Sequence, residues 1–98
     1  MERYLMLFKF TDKGIGAIKD SPGRAKTFKD AAAKVGATVE VQLWTLGEYD
    51  GALLLSAPNA GVAGALALGL GRLGNVRTTL LRAFDADEFG KMVASPSV

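Results

Sequence analysis

Ala37-Thr-Val-Glu-Val-Gln-Leu-Trp-Thr-Leu46, Gly47-Glu48 and Tyr49-Asp-Gly-Ala-Leu-Leu-Leu-Ser-Ala57 stand in the middle of the chain. Val39, Val41 and Leu43 alternate with Glu40, Gln42 and Trp44, which is the period of a strand. The segment from Ala52 to Leu55 is continuously apolar, as in a strand buried on both sides. Only Gly47-Glu48 separates the two runs. Such a short connection predicts an antiparallel hairpin.

Each side of this hairpin reads as a helix and then a strand. Upstream, Ser21-Pro22 supplies a capping hydroxyl and a proline at the first helical position. A helix then runs from Pro22 to about Val35, with Ala25, Phe28, Ala32 and Val35 on one face. Gly36 is placed to end it in a left-handed conformation. A weaker helical turn, Asp12 to Lys19, follows Thr11, and Gly14 and Gly16 lower its propensity. Before it, Arg3 to Phe10 is aromatic-rich and reads as a strand. Downstream, Pro58-Asn59 opens a helix to about Leu73 with Val62, Leu66, Leu70 and Leu73 along its ridge. Gly61, Gly64, Gly69 and Gly71 weaken this helix, so packing must hold it. Val76 to Phe84 reads as the fourth strand. Asp85 can cap a short last helix from Ala86 to about Val93, and residues 94–98 read as a frayed tail.

The order is βαββαβ plus a terminal helix, an α+β chain of the ferredoxin-like kind with one antiparallel sheet. Two helices cover one face of such a sheet. The other face should be polar in a monomer. Here Leu5 and Leu7 oppose Tyr4, Met6, Phe8 and Phe10 on the first strand, and both sets are apolar. If Val39, Val41 and Leu43 face the helices, Trp44 and Leu46 point to the second face. A second copy of the sheet would cover that face, so a homodimer is expected. The alternative is that the C-terminal helix folds across it.

Composition sets the limits. With 98 residues the chain makes one domain, 1–98, and 49% hydrophobic against 22% charged residues marks it as globular. It has no Cys and no His. Disulfides, thiolate nucleophiles, Ser-His-Asp chemistry and most transition-metal sites are thereby excluded, and neither metal nor cofactor is expected. The net charge is +2, with basic and acidic residues interleaved, so no stripe suits nucleic acid. The apolar stretch Gly61–Gly71 is too short for a bilayer, which takes about 20 residues. Tyr4 to Phe8 is too short for a signal-peptide core, so the cytoplasm is the expected location.

Four residues stand out chemically. Gly47-Glu-Tyr-Asp50 places a phenol and a carboxylate together. As turn chemistry, Gly47 would supply an unusual backbone angle and Asp50 would bond nearby amides. As a site, Tyr49 and Asp50 would stand at the mouth of a cavity with Trp44 and Arg77. Arg77 and Arg82 fall on opposite faces of a regular strand, with Glu40 and Asp50 as candidate partners. Gly69-Leu-Gly-Arg-Leu-Gly74 fits a dinucleotide-loop string, but a helix precedes it and a strand follows. That is the reverse of what phosphate binding needs.

Gly14-Ile15, Ile18-Lys-Asp-Ser-Pro22, Trp44-Thr-Leu-Gly-Glu-Tyr-Asp50, Leu73-Gly-Asn-Val-Arg77 and Leu81-Arg-Ala-Phe84 together resemble the GYD domain family of small bacterial proteins. Gly47, Tyr49 and Asp50 carry its namesake motif. The resemblance implies a ferredoxin-like fold of the dimeric α/β-barrel kind. It implies no activity. The wider dimeric-barrel class includes cofactor-free monooxygenases and lactone isomerases, many with a His that this chain lacks.

Three functions remain open. One is a homo-oligomeric module binding or sensing a small organic ligand in a cavity lined by Trp44, Tyr49, Asp50 and Arg77. A second is a cofactor-free enzyme moving a proton on a carbonyl substrate, as an isomerase or a monooxygenase does. Asp50 would be the base, Tyr49 the hydrogen-bond donor and Arg77 the stabiliser of an enolate. The third is a structural or interaction protein without a small-molecule site.

Overall fold

Residues 1–94 are described by a computed structural model. The expected tail therefore lies outside the described residues apart from Ala94. Strand β1 spans Glu2–Phe10. Helix α1, Asp12–Gly16, and a 3₁₀ turn, Ile18–Asp20, resolve the weak helical segment into two short pieces. Helix α2, Ser21–Lys34, carries Pro22 in its first turn. Strands β2, Thr38–Trp44, and β3, Gly51–Ala57, form the hairpin. Helix α3 covers Ala60–Arg72, strand β4 Val76–Ala83 and helix α4 Ala86–Val93.

The caps follow the local chemistry. The Asn59 side chain accepts the Val62 N–H, and Asp85 and Glu88 form a reciprocal capping box on α4. Gly36 has φ 80°, the left-handed conformation that lets α2 end and the chain turn into β2.

The sheet order is β2-β3-β1-β4, with every neighbouring pair antiparallel. With the helices inserted between β1 and β2 and between β3 and β4, this is the ferredoxin-like α+β arrangement. Helix α2 packs on β2, and α3 on β4, β3 and β1. The core between helices and sheet contains Tyr4, Met6, Leu53, Leu55, Phe28 and Ala32, all buried. The closest-packed residues of α3 are Ala63 and Ala67, with Val62, Leu66 and Leu70 flanking them. Small side chains at that seam let a glycine-rich helix lie close to the strands. Leu73, expected on the ridge, is exposed beyond the helix end.

Two expectations fail at β2. The strand stops at Trp44 and β3 begins at Gly51, so a six-residue loop replaces the two-residue turn. Asp50 explains the length. Its N–H donates to the Phe8 carbonyl at 2.8 Å, and its Oδ2 accepts the Phe10 N–H at 2.7 Å, so the loop is tied to β1. The second failure is one of phase. The pairing shifts between Val39 and Val41, with one extra residue on β2. This β-bulge reverses the alternation. Val39 faces the helices, but Val41 and Leu43 fall on the open face, and Gln42 and Trp44 on the helix side.

The middle of the open face is apolar. Leu54, Leu5 and Leu81 are register neighbours across β3, β1 and β4, and Val41 pairs with Leu54. Val41, Leu43 and Leu81 are all exposed. Helix α4 does not lie across this face. Ion pairs tie it to the strands, from Arg3 to Asp85 and Glu88 at 3.1 Å and from Arg82 to Glu88 at 3.6 Å.

Candidate functional site

Helices α2 and α3 do not meet edge to edge over the sheet. Between them opens a cleft of about 650 Å³. Its floor is formed by Phe8, Leu53 and Val76, its walls by Phe28 and Ala31 of α2 and by Ala65, Leu66 and Leu70 of α3. Trp44 lies at the β2 side, where its Nε1 donates to Ser21 Oγ at 3.0 Å. The bulge is what brings the indole to this side of the sheet. Polar groups line the rest. Arg24 is paired to Asp20 at 3.6 Å and donates to the Ala17 carbonyl, and Thr27 donates to the Gly23 carbonyl.

Asn75 also lines the cleft. It is 9% exposed, and its Oδ1 is buried without a hydrogen-bond partner among the described residues. Its main chain is held firmly. The Asn75 carbonyl accepts the Thr11 N–H at 3.1 Å, and the Thr11 hydroxyl donates to the Gly74 carbonyl at 2.5 Å. Lys13 Nζ donates to the Leu73 carbonyl at 2.8 Å. Gly14 packs so closely that a Cβ there would stand 1.9 Å from the Asn75 carbonyl oxygen. The start of α1 thus clamps the α3–β4 turn. Sequence reading passed over Asn75 because an Asn after Gly74 reads as turn chemistry, and nothing in the spacing shows that its side chain is buried.

Of the four residues expected to share a site, only Trp44 lines this cleft. Tyr49 and Asp50 lie in the β2–β3 loop, both half-buried. The Tyr49 ring lies under Lys9, with Nζ 5.2 Å from its centroid, and the Tyr49 carbonyl accepts the Thr45 hydroxyl at 2.6 Å. Asp50 spends one carboxylate oxygen on the Phe10 amide. Arg77 pairs in register with Lys9, on the strand set that faces away from the helices. With Arg72 and Thr78 it lines a second hollow of about 350 Å³. Arg82 is on the opposite set, and its carboxylate partners are Glu2 at 3.8 Å and Glu88, not Glu40 or Asp50. Two acidic residues near the chain ends meet there because β1 and β4 are neighbours, a pairing no local spacing reveals.

A family model for the GYD domain matches residues 4–93. The chain belongs to the GYD domain family. The match runs from within β1 to the end of α4 and so touches every strand and helix described above. Gly47, Tyr49 and Asp50, read from the sequence as the namesake motif, occupy the loop that Asp50 ties to β1. Neither the curated proteins nor the solved structures contain a significant match to the chain.

The charges with displaced proton affinities lie away from the cleft. The Glu88 backbone N–H, donating to Asp85 at 2.8 Å, holds the Asp85 carboxyl below its ordinary range, and Arg3 adds to the effect. The Tyr4 phenol is raised, chiefly because its O–H donates to Glu2 Oε1 at 2.5 Å. Among the described residues no group of Asp and Glu side chains could hold a metal ion, and no helix is long and apolar enough to cross a membrane.

Proposed function

We propose that this GYD-domain protein is a cytoplasmic homo-oligomer that binds a small, mainly apolar organic molecule in the cleft between α2 and α3. The cleft carries the reading: about 650 Å³ bounded by helices and sheet, with an apolar floor and a few polar groups. Small-molecule sites commonly have this volume and lining. The uncovered row Leu54, Leu5 and Leu81 supports self-association, since apolar faces of this kind mark contact surfaces. Binding is favoured over proton transfer because Asp50 spends a carboxylate oxygen on tying its loop to β1, and neither Asp50, Tyr49 nor Arg77 lines the cleft.

Native mass spectrometry of freshly purified protein tests both parts. The expected species is a dimer or higher multiple carrying the extra mass of a small organic molecule. Gly69 lines the cleft, and a Cβ there would meet nothing within 4 Å. Gly69→Phe should therefore fill the space, removing the extra mass and sparing the oligomer. A monomer at micromolar concentration overturns the assembly. An oligomer whose extra mass is indifferent to Gly69→Phe places the ligand elsewhere. A bare oligomer that takes up no added apolar compound would leave an interaction protein as the better description.

A further inference from the structure

We propose that Asn75 is the polar anchor of the cleft, and that the molecule it selects is an apolar body carrying a hydroxyl. This rests on the cleft being a ligand site. Of the other polar side chains along the lining, Ser21 bonds Trp44, Arg24 pairs with Asp20 and Thr27 bonds Gly23, while Gln42 is half-buried and Lys19 exposed. Asn75 differs, because it is buried and its Oδ1 is unmatched. Buried polar atoms are rarely left so, since desolvation is not repaid. An Asn that only braced its turn would spend its oxygen on a nearby amide. Here the turn is braced without it, by Thr11 and Lys13 from the start of α1. The side chain is thus free for another task on a backbone that cannot move away.

The chemistry of a carboxamide indicates the ligand group. It offers an acceptor on one end and a donor on the other; Oδ1 is closed to solvent as it stands, and with no bond holding it a half-turn about χ2 would present it to the cleft. A hydroxyl both donates and accepts, so it satisfies either end. A carboxylate is a poorer fit. It would need an unpaired buried cation, whereas Arg24 is engaged with Asp20 and Lys19 is exposed. The apolar floor then selects a body of ring or chain carbon around that one group.

The test uses matched probes, 2-naphthol and 2-methoxynaphthalene, which differ in whether the oxygen can donate. Amide NMR titration of the full chain reports both affinity and place. The expected result is shifts confined to cleft residues such as Ala65 and Val76, with 2-naphthol binding about tenfold more tightly than the ether. In Asn75→Leu the preference should vanish through weaker naphthol binding alone, while the melting temperature holds or rises because an unmatched polar group is gone. Equal affinities for the two probes in the native protein, with shifts still in the cleft, overturn the role of Asn75 and leave the cleft as a ligand site. Absence of cleft shifts with either probe overturns both.

Discussion

The two faces of the sheet are built from the same strands and come to opposite ends. On the helix side Tyr4, Met6, Leu53 and Leu55 are at most 4% exposed. On the other side Leu81 is 44% and Leu43 57% exposed, although both are as apolar as their counterparts. Residue type does not separate the two faces; the reach of the helices does. Neighbouring strands are about 4.8 Å apart, and helices pack about 8–10 Å apart, so two helices just span four strands once. They do so imperfectly, since α2 and α3 leave the cleft between them. The chain thus has apolar surface left over in two forms, a hollow on one side and a bare plane on the other. A small molecule suits the first, and a second copy suits the second.

The sharpest way to break this contrast is to charge the bare plane. Leu54→Lys puts an ammonium between Leu5 and Val41. If a second copy covers the face, burying that charge should weaken self-association by more than about a hundredfold. Sedimentation equilibrium should then show monomers, with the circular dichroism of the fold unchanged. An oligomer that tolerates Leu54→Lys is assembled through another surface.

The covered face should respond differently. Leu55 is fully buried, and Leu55→Ala should cost about 3 kcal/mol of stability in urea titration, the usual penalty for emptying a packed core position. Its effect should be on folding and not selectively on assembly. A loss well under about 1 kcal/mol would mean that the helix layer is looser than its burial indicates.

The smallest effect belongs to α4, which lies on neither face. The Asp85 carboxyl is held below its ordinary range by the Glu88 N–H. A depressed carboxyl contributes stability that is complete above about pH 4, the unfolded value, and lost as the pH falls through the lower folded value. The melting temperature of Asp85→Ala should therefore lie below that of the native protein at pH 7, and the gap should narrow on acidification. A gap independent of pH would assign the loss to packing.

Much of the fold was legible because its signals are local. Ser21-Pro22, Asn59, Asp85 and Gly36 each mark a boundary within a residue or so, and all but Ser21 act through their own backbone neighbourhood; the Ser21 hydroxyl caps no helix and accepts the Trp44 indole N–H instead. The alternation along β1 predicted both of its faces. What escaped was set at a distance. The bulge at Glu40 depends on how β2 settles against β3, so Trp44 was assigned to the wrong side. The length of the β2–β3 loop depends on Asp50 finding amides of β1. The partners of Arg82 come from both ends of the chain. The candidate site was less legible still, since Asn75 is recognisable only by what its side chain fails to touch.

The extra residue at the bulge makes β2 a strand whose length sets its meaning. Everything before Glu40 is in one phase and everything after it in the other, up to Trp44. Ironing the bulge flat, with Glu40 taken into the ladder opposite Leu54, would turn Val41 and Leu43 toward the helices and swing the indole out to the bare plane, whereas deleting Glu40 would leave both on the sides they occupy. A one-residue slip in the pairing after Val39 would keep the composition and the fold while trading the wall of the cleft for the surface of the open face. In this sheet the bulge, more than the residues either side of it, decides which side chains of β2 belong to the cleft.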